Sequence, residues 1–217
     1  MKIKVCGITS YEDAAMALDL GVDALGFNLY AGSPRYLDPA TAGGITRRLP
    51  PFAATVALFV DETDIPEVEQ QAGVAGARIL QLHGAESPDY CRRLSRWDLI
   101  KTLHIGPAGP PAGLEEYPVS AFLLDTQDSA RHGGTGRTFD WAIVKHLQFP
   151  RPIILAGGLR PQNVGDAILA VRPYAVDVCS GVESAAGKKD RGKLLAFVRE
   201  VRNAARDIDS SDSSPSR

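Results

Sequence analysis

The sequence predicts a single (β/α)8 TIM barrel, and three observations point there. Eight short β-branched or aliphatic runs alternate with segments of helical period. The runs are too uniformly apolar to face water on either side. Several stop at glycines or polar residues, as buried parallel strands do where they open into ligand-facing loops. Eight such units in 217 residues make a minimal barrel. A doubly wound open sheet is the competing architecture; against it, Cys6-Gly-Ile-Thr9 follows the first run where a G-x-G-x-x-G turn would be needed.

The strands are expected at Ile3–Cys6, Ala24–Leu29, Ala54–Val60, Ala77–Leu82, Leu99–Leu103, Val119–Asp125, Ile153–Ala156 and Ala175–Cys179. The helices are expected at Tyr11–Leu20, Pro39–Leu49, Ile65–Ala72, Pro88–Arg96, Phe139–Leu147, Pro161–Val171 and Gly192–Arg206. Ser10, Asp38, Ser87 and Arg160-Pro161 supply capping residues or a first-turn proline where a helix should begin. The fifth unit is the exception. Gly106-Pro-Ala-Gly-Pro-Pro-Ala-Gly113 cannot be a regular helix, which leaves Leu114–Tyr117 as a degenerate fifth helix. The barrel should occupy residues 1–206, and the Ser- and Asp-rich segment 207–217 reads as a disordered tail.

Composition narrows the function. A formal charge of −2 gives no basic excess for nucleic acid as main partner, and no apolar run of about 18 residues suits a membrane span. The start, Met-Lys-Ile-Lys-Val, moves straight into a strand without the apolar stretch of a secretory signal, so the expectation is a cytoplasmic protein. Cys6, Cys91 and Cys179 are too scattered for a disulfide framework or a CxxC metal site. Monomer and homodimer both stay open.

Polar groups at the carboxyl ends of barrel strands converge on one mouth. The strands deliver Cys6, Asn28, Asp61, Gln81 with His83, Asp125, Gly157 with Gly158, and Asp177 with Ser180. Cys6 is either a small core thiol or a base, and as a base it needs help to ionise. Asp125, at the tip of an apolar strand, must meet water, a donor or a ligand, or serve as a loop cap. The following glycine loop, His132-Gly-Gly-Thr-Gly136, suits a lid. By strand alternation Asp177 and Cys179 point inward, where Asp177 requires a partner: a substrate hydroxyl, or Lys4 or Lys101.

Those lysines also raise the alternative of Schiff-base chemistry. His83 lacks a second ligand at metal spacing, so substrate contact or a structural bond fits it better than a metal. Arg35, in a proline-stiffened loop, suits a carboxylate. Gly157, Gly158 and Gly181 would let backbone N–H groups approach a phosphate, aided by the N-terminus of a following helix.

These motifs resemble the phosphoribosylanthranilate isomerase family in order along the chain. They are Lys4-Val-Cys-Gly-Ile-Thr9, Gly26-Phe-Asn-Leu-Tyr30 with Ser33-Pro-Arg-Tyr36, Leu80-Gln-Leu-His-Gly84, and Leu124-Asp-Thr126 with Gly133-Gly-Thr-Gly-Arg-Thr-Phe-Asp-Trp141. Ala156-Gly-Gly-Leu159 with Pro161-Gln-Asn-Val164, and Val176-Asp-Val-Cys-Ser-Gly-Val-Glu-Ser184 with Gly187-Lys-Lys-Asp190, complete the set. The proline-rich fifth connection and the serine-rich tail depart from the pattern.

The resemblance implies an Amadori rearrangement of N-(5′-phosphoribosyl)anthranilate in tryptophan biosynthesis, on a small phosphosugar and with no cofactor. Asp125 would be the general acid and Cys6 the general base. Arg35 would hold the anthranilate carboxylate, and His83, Asp177, Ser180 and the three glycines would bind the rest. One physical tension follows. Anions that keep Asp125 protonated also disfavour a Cys6 thiolate, so a cation such as Lys4, or a proton relay, must oppose them.

Overall fold

A computed structural model describes residues 1–126 and 140–212. Eight parallel strands close into a barrel in chain order: β1 (Lys2–Val5), β2 (Ala24–Asn28), β3 (Ala54–Phe59), β4 (Ile79–Leu82), β5 (Asp98–Ile105), β6 (Ala121–Thr126), β7 (Ile153–Leu155) and β8 (Ala175–Val178). Closure is direct, because β1 pairs with β2 on one side and with β8 on the other, Lys4 lying opposite both Ala24 and Asp177.

Strand alternation sorts the side chains into two shells. One set faces outward and packs beneath the helices: Val5, Leu25, Phe27, Leu80, Leu82, Leu124, Leu155 and Val176 are all buried there. The other set fills the interior, where Val56, Ile100, Ala121, Leu123, Ile154 and Ala175 form a second apolar cluster. Further along the same inward rows come Lys4, Gln81, Thr102, Asp125 and Asp177, all buried. Buried polar groups must be partnered, so this level is where function or a bond network has to sit.

The helices are α1 (Tyr11–Asp19), α2 (Pro39–Thr46), α3 (Ile65–Ala75), α4 (Pro88–Arg93), α5 (Val164–Val171) and α6 (Arg191–Asp212). Ser10, Asp38 and Ser87 cap α1, α2 and α4 as the sequence predicts, each accepting a backbone N–H of the first turn; Asp64 does the same for α3. The fifth connection is degenerate as expected, with one 3₁₀ turn at Leu114–Glu116.

Three expectations are corrected. Among its described residues the sixth connection holds a 3₁₀ turn, Trp141–Ile143, where the expected helix over 139–147 would run. The seventh helix starts at Val164, three residues after Pro161, because the Asn163 side chain is used elsewhere: its Oδ1 accepts from Arg160 N–H and its Nδ2 donates to the Gly158 carbonyl. The last helix runs on past Arg206 to Asp212, so residues 207–212 of the expected tail are helical, with Ile208 partly buried against the core.

After β8 a 3₁₀ turn (Ser180–Val182) leads into an antiparallel ribbon, β9 (Glu183–Ala185) and β10 (Lys188–Lys189). This ribbon folds the chain back over the β1 and β8 ends. No helix among the described residues is long and apolar enough to cross a membrane.

Candidate active site

The strand ends enclose a cavity of about 870 Å³ lined by Cys6, Asn28, Arg35, Gln81, His83, Asp125, Asp177 and Cys179, among others. That size suits a small organic substrate. Predicted residues from several strand ends therefore meet at one opening. Asp61 does not join them: its carboxylate accepts from Ala85 N–H at 2.6 Å and its own N–H donates to Glu86, which braces the β3 and β4 loops.

On one wall sits Asp125. Its Oδ1 accepts from Thr126 N–H at 2.8 Å, and its Oδ2 lies 3.6 Å from His83 Nε2. Burial pushes the Asp125 carboxyl above its ordinary value, against the Thr126 hydrogen bond and nearby His104. A carboxyl so placed is biased towards keeping its proton. His83 is held in turn by Gln81 Nε2 at 3.2 Å and Thr102 Oγ1 at 3.0 Å, both at Nδ1, so its ring orientation is set from the β4–β5 side.

On the opposite wall Lys4 and Asp177 form a buried ion pair, Nζ to Oδ1 2.9 Å. Lys4, not Lys101, is thus the partner of Asp177. Lys101 instead pairs with the buried Glu86 at 2.9 Å and donates to the carbonyl of Gly84. Burial raises the Asp177 carboxyl to about 7, with Lys4 opposing the rise, while Asp177 and the other anions around it hold the Lys4 ammonium above its ordinary value in spite of burial.

Cys6 lies beside this pair. A Cβ on Gly26 would stand 2.9 Å from Cys6 Sγ and 3.1 Å from Lys4 Nζ, so glycine there lets thiol and ammonium share one space. The Cys179 thiol hydrogen bond pulls the Cys6 thiol well below its ordinary value; burial opposes this, and Lys4 and Lys189 add to the lowering. Of the cation and the proton relay that the sequence left open, cations are present twice, in Lys4 and Lys189.

Lys189 and Glu183 carry weight that residue-by-residue reading of the strand ends missed. Lys189 Nζ donates to the Cys6 carbonyl at 2.6 Å and to Glu183 Oε1 at 2.8 Å, and stands 3.9 Å from Cys179 Sγ. The available signal was the charged Lys188-Lys189 pair following Gly187, but only the β9–β10 ribbon brings it back to the mouth. Arg35 is also differently engaged. Its Nε and Nη2 make a forked contact with Glu183 at 2.7–3.1 Å, leaving Nη1 without a partner among the described residues. Burial raises the Glu183 carboxyl, but the Arg35 and Lys189 bonds outweigh it and the net shift is downward.

The glycine turns lie on the same rim. Gly157 (φ +80°) and Gly158 (φ +62°) occupy left-handed backbone open to few other residues. A Cβ on Gly181 would collide with the Leu159 carbonyl oxygen, so the turns after β7 and β8 touch. The N–H groups of Gly157 and Gly158 meet no acceptor among the described residues. Ser180 opens the second turn. The expected helical N-terminus is not directly attached to either turn: α5 starts at Val164, and Gly181 sits within the single 3₁₀ turn. The glycine loop at 132–136 lies outside the described residues.

A closed barrel whose mouth gathers a buried carboxyl beside a histidine and a thiol beside a lysine has the arrangement of an acid–base enzyme for a small molecule. Among the described residues no cluster of three His, Cys, Asp or Glu is placed to hold a metal. A family model described as N-(5'phosphoribosyl)anthranilate (PRA) isomerase matches residues 3–200. The enzyme of that name from Geobacter sp. (strain M21) is 48% identical over 201 residues, covering 93% of this chain and 98% of the relative.

A solved phosphoribosyl anthranilate isomerase from Thermus thermophilus superposes with a TM-score of 0.84 at 39% identity, covering 94% of this chain and 99% of the other. Another, in complex with reduced 1-(o-carboxyphenylamino)-1-deoxyribulose 5-phosphate, gives a TM-score of 0.79 at 35% identity over 94% and 99% of the two chains. The chain belongs to the N-(5′-phosphoribosyl)anthranilate isomerase family and is an isomerase.

Proposed function

We propose that this chain converts N-(5′-phosphoribosyl)anthranilate to 1-(2-carboxyphenylamino)-1-deoxyribulose 5-phosphate, a step of tryptophan biosynthesis, with Asp125 as general acid and Cys6 as general base. The observation that carries the residue roles is that Asp125, buried beside His83, and Cys6, beside the Lys4 ammonium, line one cavity, where burial raises the carboxyl and the neighbouring groups lower the thiol. Pairs of groups pushed apart in this way mark acid and base assignments.

Asp125 protonates the ribose ring oxygen as the C1′–O bond breaks and the anilino nitrogen lone pair forms an iminium. Cys6 then removes the C2′ proton, and the resulting enolamine tautomerises to the ketose. His83 and Asp177 border the sugar and Arg35 Nη1 meets the anthranilate carboxylate. Gly157, Gly158, Ser180 and Gly181 hold the phosphate through backbone N–H groups. Fixing the sugar between acid and base converts binding into rate.

The setting is cytoplasmic and the protein a monomer or homodimer, which sedimentation of the purified chain distinguishes. The test of function is the fluorescence decay of freshly generated phosphoribosylanthranilate. Parental turnover by either Cys6→Ala or Asp125→Asn would remove the assigned roles; substrate binding without product would mark a phosphate-binding protein instead.

A further inference from the structure

Cys179 moves no proton in the chemistry above, yet it stands in a specific relation to Cys6. In the β1–β8 register Lys4 faces Asp177 and Val5 faces Val178, and Cys6 N–H donates to the Val178 carbonyl at 2.9 Å. One step further along puts Cys6 opposite Cys179. Neighbouring strands lie about 4.8 Å apart, within the roughly 4.4–6.8 Å span of Cα atoms that a disulfide bridges.

The side chains converge as well. Both cysteines line the cavity, each thiol shifts the other's ionisation, and Cys179 Sγ is held at the mouth by Glu183 Oε1 at 3.8 Å and Lys189 Nζ at 3.9 Å. Space around the sulfurs is cleared by glycine on each side: a Cβ on Gly7 would stand 3.0 Å from Cys179 Sγ, and one on Gly26 2.9 Å from Cys6 Sγ. Cys91 is the internal contrast, fully buried on α4 with burial raising its thiol to about 11.

We propose that Cys6 and Cys179 are a peroxide-sensitive pair that closes into a disulfide across the β1–β8 seam and switches the isomerase off until a low-molecular-weight thiol reopens it. The oxidant is a hydroperoxide, with hydrogen peroxide the simplest. The Cys6 thiolate attacks one peroxide oxygen, forming an S–O bond as the O–O bond breaks and hydroxide leaves, so Cys6 becomes a sulfenic acid. Cys179 sulfur then attacks Cys6 sulfur, the S–O bond breaks, and the thiol proton leaves with the departing oxygen as water. The hydroxide from the first step takes up the proton that Cys6 lost on ionising. Both sulfurs are oxidised by one electron each, and the peroxide is reduced to two waters.

Two features favour this course over further oxidation of Cys6. The Lys4 and Lys189 ammonium groups stabilise the attacking thiolate, and a resolving thiol lines the same cavity from the neighbouring strand end, so the sulfenic acid is captured before a second peroxide arrives. Loss of turnover rests on Cys6 being the base proposed above; formation of the linkage does not.

The full-length enzyme is treated with hydrogen peroxide, alkylated, digested and mapped by mass spectrometry, with turnover followed in parallel. A cross-linked peptide joining Cys6 to Cys179 is expected to accumulate as activity falls, with both changes reversed by dithiothreitol and Cys91 unlinked. In Cys179→Ser, judged against its own untreated rate, inactivation should no longer be reversed by thiol, because Cys6 proceeds to sulfinic acid.

The proposal is overturned if parental Cys6 reaches sulfinic acid with no cross-link, or if Cys179→Ser recovers like the parent. A cross-linked enzyme that still turns over would remove both the switch and the base role while leaving the linkage. No cross-link in a protein whose Cys6→Ala variant is inactive would remove the pair alone.

Discussion

Replacing Asp125 by asparagine probes the acid with little change in shape. The amide keeps an oxygen to accept the Thr126 N–H now bonded at 2.8 Å, and its volume matches the buried site beside His83. What is lost is a transferable proton. General acid assistance contributes about 10²–10⁴-fold, or roughly 2.7–5.4 kcal/mol of barrier, and the loss should fall on kcat with KM nearly unchanged. A secondary effect has the opposite sign. Any Asp125 anion disfavours the Cys6 thiolate, so its removal should shift the acidic limb of the rate profile slightly downward in pH. The assay is substrate fluorescence decay across pH. A variant within about tenfold of the parent, or one whose defect appears only in KM, would refute a proton-donating Asp125.

Asp177→Asn removes a buried anion and frees Lys4, and both changes favour ionised Asp125 and Cys6; both limbs of the pH–rate profile should therefore move to lower pH, and an upward shift would contradict the ion-pair reading. Lys101→Met strands a carboxylate, since Glu86 keeps its backbone donors but loses its cation; a loss of about 3 kcal/mol or more, and a melting midpoint lower by roughly 6–12 °C, should appear in thermal unfolding, whereas an unchanged midpoint would show the pair to be dispensable. Gly181→Ala must push the turn after β8 away from the Leu159 carbonyl, so KM and inhibition by inorganic phosphate should weaken while kcat changes less; the reverse pattern would place the phosphate elsewhere.

Strand ends are readable from sequence because alternation has a fixed period: once β1, β6 and β8 are placed, Cys6, Asp125 and Asp177 must face inward. Caps are readable for the same local reason, as at Ser10, Asp38 and Ser87. What sequence does not reveal depends on contacts distant in the chain. Arg35 and Glu183 are 148 positions apart, and the two-toothed bond between them decides that only Nη1 of Arg35 is open. Lys189 reaches Cys6 across 183 positions through a ribbon too short to show a strand pattern. Asn163 looks like an ordinary residue of a helical start, but its side chain is committed to Gly158 and Arg160, which delays α5.

The conflict between acid and base in one mouth is resolved by how the charges are shared. Lys4, Lys189 and Arg35 are the cations around Cys6; Asp177 and Glu183 are the carboxylates that face them. Three positive charges against two negative leave one uncompensated, and a Cys6 thiolate balances it. With that balance reached, the pull of Lys4 on Asp125 is outweighed by burial, and the carboxyl faces a histidine 3.6 Å away. The cations therefore lower the thiol selectively because they lie on the β1–β8 side, while burial dominates at the carboxyl across the cavity. Cys179 then has a physical reason to stand at the centre of this arrangement. A neutral thiol there lowers the Cys6 thiol without adding charge, whereas a fourth cation would begin to deprotonate the acid.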